Sequence, residues 1–117
     1  MNVLEPVKRF QQQTDMRVET NLGKITVLRR WFVPSEKLEE FKTRWLLEIM
    51  PAIRRQPGCL SVEAYKSSVR DHWVTAISWE NEECRVRAFE RLSPIYNDFV
   101  PYERFEPEIL TLFSQMT

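Results

Sequence analysis

Residues 25–33 read ITVLRRWFV, nine positions rich in β-branched and aromatic side chains with Arg29 and Arg30 at their centre. That content predicts a β-strand. Apolar side chains fall on both parities, Val27, Trp31 and Val33 against Leu28 and Phe32, so both faces of the strand need a cover. Pro34-Ser35 ends it, and Ser35 is placed to cap a helix with Glu36 in the first turn. Leu38, Phe41, Trp45, Ile49 and Ile53 then recur at three- and four-residue steps, the pattern of an amphipathic helix burying one stripe. Pro51 removes a donor inside this run, which predicts a kink or a looser turn. Arg54 and Arg55 suit the helix C-terminus, and Pro57-Gly58 stops it.

Downstream, residues 59–67 and 73–79 read as two strands joined by a hairpin through the polar stretch 68–72. Asn81 caps a second helix with Glu82 and Glu83 in its first turn and Cys84, Ala88 and Leu92 on its buried edge; Glu83 and Arg87 pair outside, and Ser93-Pro94 ends or bends it. Residues 108–115, EILTLFSQ, form a last strand. Strand, helix, strand, strand, helix, strand is the α+β, ferredoxin-like split β-α-β sandwich, an antiparallel sheet with two helices on one face. The other face is covered if a second copy packs sheet to sheet, so a homodimer is expected. Upstream, Leu4, Val7 and Phe10 suit short helical turns and residues 16–20 a short strand, so residues 1–20 read as an arm and 21–117 as the domain. Residues 94–107 are an insert carrying Tyr96, Phe99, Tyr102 and Phe105 at three-residue steps, expected as helical turns that contact a partner or lid a cavity.

The 117 residues fit one domain, and 17 Lys+Arg balance 17 Asp+Glu. Without excess positive charge the chain lacks the footprint of a nucleic-acid binder. Charge is nonetheless uneven: residues 1–58 carry 11 basic and 7 acidic side chains and residues 59–117 carry 6 and 10, so the halves are of opposite sign. Two glycines exclude a glycine-rich phosphate loop. The first residues, interrupted by Glu5, Lys8 and Arg9, do not form a signal peptide, and no run is long enough to span a bilayer. Cys59 and Cys84 lack the spacing of a metal or redox pair and read as small buried side chains, which leads us to expect a cytoplasmic protein.

Three stretches carry a family resemblance: ITVLRRWFVPSEKLEEF, PAIRRQPGCLSVEAYKS and VTAISWENEE, together spanning about residues 24–94. In these the chain resembles the antibiotic biosynthesis monooxygenase family. The resemblance implies a dimeric α+β barrel with a small-molecule cavity between each sheet and its helices, and a range of roles that includes cofactor-independent oxygenation of polycyclic aromatic quinols. The family's haem-degrading branch has an Asn where this chain has Arg29, and a Trp and a His on or after helix two that residues 88–91 and 97–101 lack. Haem degradation is therefore disfavoured, and no cofactor is expected.

Cofactor-independent oxygenation needs an apolar chamber, a base or bound water, and donors for a developing oxyanion. Arg29, a guanidinium in a strand covered on both faces, is costly unless paired. It would bind a phenolate or carboxylate, or else form an internal pair, for example with Glu63, or lie exposed at a barrel end. Trp31, Trp45 and Trp79 come from different elements and would converge on a flat aromatic ligand, or simply be core. Tyr65 and Tyr96 offer hydroxyls. Arg29, Trp31, Trp45, Tyr65, Trp79 and Tyr96 are thus the candidate substrate-binding set, with no catalytic residue assigned. His72 reads as a solvated turn residue. The alternatives are a non-catalytic dimeric binder of a ligand or partner, or an isomerase or cyclase on the same barrel.

Overall fold

In a computed structural model describing residues 23–69 and 72–116, four strands form one antiparallel sheet. They are β1 (Ile25–Trp31), β2 (Cys59–Lys66), β3 (Trp73–Trp79) and β4 (Glu108–Thr111), in the spatial order β2-β3-β1-β4. Helical segments α1 (Leu38–Arg44), α2 (Met50–Arg54) and α3 (Glu82–Tyr96) make the second layer. This is the expected α+β ferredoxin-like sandwich. The arm 1–20, with its helical turns and short strand, lies outside the described residues.

Strand register sorts the side chains. Ile25 opposes Trp79, Val27 opposes Ile77 and Arg29 opposes Thr75, so these residues share the helix-covered face. Ile25, Val27, Trp31, Ile77 and Trp79 pack there with Phe41, Trp45, Ile49, Ile53, Ala88 and Leu92 as one core. The other face carries Thr26, Leu28, Arg30, Val74, Ala76 and Ser78, and is tied across β1 and β3 by a hydrogen bond of 2.8 Å between the Thr26 and Ser78 hydroxyls.

Both prolines inside helical runs are accommodated, by different means. Phe41, Trp45, Ile49 and Ile53 repeat every fourth residue and are all buried. In a regular α-helix each four-residue step overshoots a full turn by about 40°, so this stripe would rotate out of the core. A π-helical turn at Trp45–Ile49, closed by the Met50 amide donating to the Trp45 carbonyl, slows the rotation and leaves Pro51 in the first turn of α2, where no donor is missed. The looser turn expected near Pro51 is this one. Pro94, by contrast, does not end α3. The helix continues to Tyr96, and the Ser93 hydroxyl donates to the Glu90 carbonyl (3.4 Å) that Pro94 leaves without an amide.

Three local expectations change. Ser35 lies in a 3-10 turn, Ser35–Lys37, and makes no side-chain cap, whereas Asn81 does cap α3, accepting from the Cys84 amide at 2.9 Å. The last strand is half the expected length, and its four residues are all exposed. His72 is only 8% exposed rather than solvated, because its ring stacks on Phe32 with centroids 4.8 Å apart.

Gly58, in the turn between α2 and β2, has φ +83, and a Cβ added there would fall on the Cys84 side chain. Gly58→Ala therefore incurs both a left-handed backbone and a clash, and should lower the unfolding free energy by about 2 kcal/mol in urea denaturation. Cys84→Ala on top should recover part of the loss; strictly additive effects would show that the clash contributes nothing.

Candidate functional site

The Asn81 cap fixes where α3 starts, and its continuation past Pro94 fixes where it ends. Between those points Arg85, Phe89, Leu92 and Tyr96 follow at steps of four, three and four, a single helical stripe. That stripe faces Val27 and Arg29 of β1 and Ile77 and Trp79 of β3 across a cleft of about 310 Å³, its open mouth included. Its enclosed part is only about 20 Å³, room for about one water, so a ligand would lie at the open mouth.

Arg29 stands on the sheet side of the cleft. Its Nη1 donates to both Glu103 oxygens at 3.0 Å, and each side chain of the pair is only 12% exposed. The guanidinium carbon lies 5.6 Å from the Phe89 ring centre and 5.3 Å from that of Tyr96, two rings that stack on each other. Such contacts favour the cation once it is desolvated. Glu103, from the insert, is the partner; Glu63 instead accepts from Tyr65 on the edge strand β2.

Burial pushes the Tyr96 hydroxyl up to about 12, against the opposing pull of Arg29. At neutral pH it remains a phenol, able to donate to an oxygen anion. Arg85, at the other end of the stripe, bonds Glu82 through Nε at 3.0 Å and through Nη2. Phe89 is 45% exposed although it forms the wall between these two cations. Burial also raises the Cys59 thiol, as suits a packing residue rather than a nucleophile.

Of the six residues singled out from sequence, Arg29, Trp79 and Tyr96 meet at this cleft. Trp31 and Trp45 lie behind Tyr96, packed with Phe41, Ile49 and Phe99 so closely that no room for a water is left between them. The Trp31 indole is satisfied there by Thr75 Oγ1 at 3.0 Å. Tyr65 is remote and 51% exposed. Sequence reading did not single out Arg85, Phe89 or Glu103. The first two were visible in the four-three-four spacing had the helix been continued through Pro94; nothing in the sequence marks Glu103.

The sequence profile of the antibiotic biosynthesis monooxygenase family matches residues 24–101. No curated protein sequence matches significantly. Among solved structures, SnoaB from Streptomyces nogalater, a cofactor-independent oxygenase solved as a point mutant, superposes with TM-score 0.69 at 16% identity, over 80% of this chain and 97% of its own. A conserved protein from Methanosarcina mazei Go1 gives TM-score 0.68 at 16% identity, over 84% and 99%. The ActVA-Orf6 monooxygenase of Streptomyces coelicolor, crystallised with Nanaomycin D, gives 0.63 at 16%, over 83% and 93%. At these identities the likeness is one of fold. Because the family profile spans two thirds of the 117 residues and the fold agrees, the chain belongs to the antibiotic biosynthesis monooxygenase family.

Proposed function

We propose that this chain is a cofactor-independent monooxygenase acting on an aromatic, quinol-type substrate, as a homodimer in the cytoplasm. The observation that carries the reading is Arg29: a permanent cation held by Glu103 against two aromatic rings, at a cleft that Tyr96 also lines. A phenolic or quinol substrate seated there loses a proton more readily, because the cation and the phenol stabilise the anion it becomes. That anion reduces dioxygen. With an anthrone-type CH2 group, carbon–oxygen bond formation gives a hydroperoxide, and loss of water leaves the ketone, so one O2 is consumed per quinone and per water formed. Among the described residues no helix is long and apolar enough to cross a membrane.

One observation favours a non-catalytic binder. Val27, Arg29, Ile77, Trp79, Arg85, Phe89, Leu92 and Tyr96 line the cleft, and none is a carboxylate, imidazole or thiol. The oxygenase reading accordingly assigns the proton to water. An isomerase or cyclase would share the pocket and consume no oxygen.

Oxygen uptake with anthrone and naphthoquinol panels separates these readings. An oxygenase should give uptake well above buffer, one O2 per quinone, with kcat/KM about tenfold lower in Tyr96→Phe. Binding without uptake would establish the binder, and product without uptake the isomerase or cyclase.

Tyr96 also predicts a pH effect. The folded chain keeps a proton that the unfolded chain releases above about pH 10, so stability falls as pH rises from there through about 12. Between about pH 9 and pH 11 the wild type should lose about 1 kcal/mol more than Tyr96→Phe in urea denaturation. An equal loss in both would mean that the hydroxyl is solvated.

The dimer rests on the helix-free sheet face, where Leu28 and Val74 are half-buried and Tyr65 and Leu110 exposed. Sedimentation should give twice 14.1 kDa, and Val74→Asp should give the monomer. A monomeric wild type would remove the sheet-to-sheet packing.

A further inference from the structure

Among the described residues, the buried side-chain nitrogen or oxygen left without a hydrogen-bond partner is Nδ1 of His72. This is the chain's single histidine, the side-chain type that ordinarily titrates between about pH 5 and 8, and it lies outside the cleft. Three segments meet around it on the Phe32 ring. His72, just before β3, stacks on that ring with centroids 4.8 Å apart; Phe105, from the segment before β4, meets it edge-on at 6.0 Å; and the Arg104 guanidinium carbon lies 5.4 Å from its centre. The Phe32 amide donates to the Tyr102 carbonyl at 2.7 Å. The junction therefore seats residues 102–105, and with them Glu103, the partner of Arg29.

Protonation changes what the junction has to hold. A neutral imidazole can leave Nδ1 bare, whereas the imidazolium carries N–H on both nitrogens. A buried N–H without an acceptor is costly, and a buried charge more so. The surrounding charges add to the cost. Arg104 shares the Phe32 ring, Arg30 lies two residues before Phe32, and the Lys66 ammonium lies over Trp73, the next residue after His72. Of the carboxylates on this side, Glu108 pairs with Arg30 at 3.7 Å and Glu106 is exposed. Contact with the Phe32 face favours a charged ring, but Arg104 already draws on that face, and such a contact offsets less than the hydration a buried cation gives up.

We propose that His72 is an acid-sensitive latch. With a neutral ring it holds residues 102–105 against the end of β1, and its protonation releases them and loosens Glu103 from Arg29. The closed latch holds the neutral ring and the open one takes a proton freely, so opening increases as pH falls. Acid then acts on the cleft from outside it, whatever reaction the cleft performs.

Amide hydrogen exchange on the full chain, followed by NMR at about pH 7.5 and about pH 5.5 and corrected for the intrinsic pH dependence of exchange, tests the latch. The Phe32, Tyr102 and Glu103 amides, all hydrogen-bonded at the junction, should lose about tenfold in protection on acidification, and Ala88 in α3 should lose none. His72→Phe and His72→Gln, which cannot be charged, should keep the protection at the lower pH, with circular dichroism to check that each folds. Asp71, the neighbouring carboxylate in sequence, is controlled by Asp71→Asn, in which the wild-type loss should persist. Unchanged protection in the wild type, a loss shared by Ala88, a loss that survives in a folded His72 variant, or one that disappears in Asp71→Asn overturns the proposal and leaves the oxygenase reading standing.

Discussion

The ion pair between Arg29 and Glu103 constrains more of this molecule than any other contact. Arg29 lies on β1, which is paired on both edges, with β3 and with β4. An unpartnered guanidinium in such a place costs several kcal/mol, of the order of 3–5 when one member of a buried pair is removed. The chain supplies the partner from 74 residues away, and the route is visible. After α3 it makes a 3-10 turn at Val100–Tyr102, bonds the Phe32 amide through the Tyr102 carbonyl at 2.7 Å, and bridges Trp31 at Glu103. The same path brings Phe99 edge-on to Phe41, with centroids 5.3 Å apart. The segment between α3 and β4, mostly exposed, thus joins the core of its own chain through Phe99 and Tyr102 and meets the charge on β1 through Glu103.

Departures from regular helix geometry serve the same end. The π-turn before Pro51 keeps Trp45 and Ile49 on the buried stripe, and the extension past Pro94 carries Tyr96 beneath Arg29. Ending α3 at Ser93 would leave the guanidinium without one of its two rings. The cost of each proline is small because each missing donor is dealt with locally, by position in one helix and by the Ser93 hydroxyl in the other.

Element order, the spans of β1 to β3 and the core face of the first helix were legible because hydrophobic period and turn chemistry are local properties. They place Trp45 and Ile49 on one buried helical stripe without knowledge of the rest of the chain. What was not legible depends on contacts between distant segments. Nothing near Glu103 announces that it will meet Arg29, and Glu63, on a strand of the same sheet, is as reasonable a partner by sequence, although it bonds Tyr65 instead. His72 reads as a turn residue by its neighbours and is buried by Phe32, 40 positions away in sequence. The candidate site was half legible for the same reason: Arg29, Trp79 and Tyr96 stand out by type, whereas Phe89 and Arg85 become site residues only once the helix bearing them is known to run on.

The absence of a base among the cleft-lining residues limits the proposed chemistry in a way that can be put in numbers. A cation about 4 Å from a developing oxyanion, at an effective dielectric near 20, is worth about 4 kcal/mol, or roughly three pKa units. Glu103, just beyond the guanidinium, cancels part of that, and leaves a net of about one to two units. A phenol of ordinary pKa near 10 would then ionise at about 8 to 9, close enough to neutral for water to take the proton at a useful rate. A much weaker acid would not ionise here. A stronger one would be ionised already and gain nothing from the site. On the proposed reading the cleft would thus select by acidity as well as by shape, and Glu103 would act as a tuning element: it pairs Arg29 in the strand and would hold the pull on a bound phenol at a moderate value.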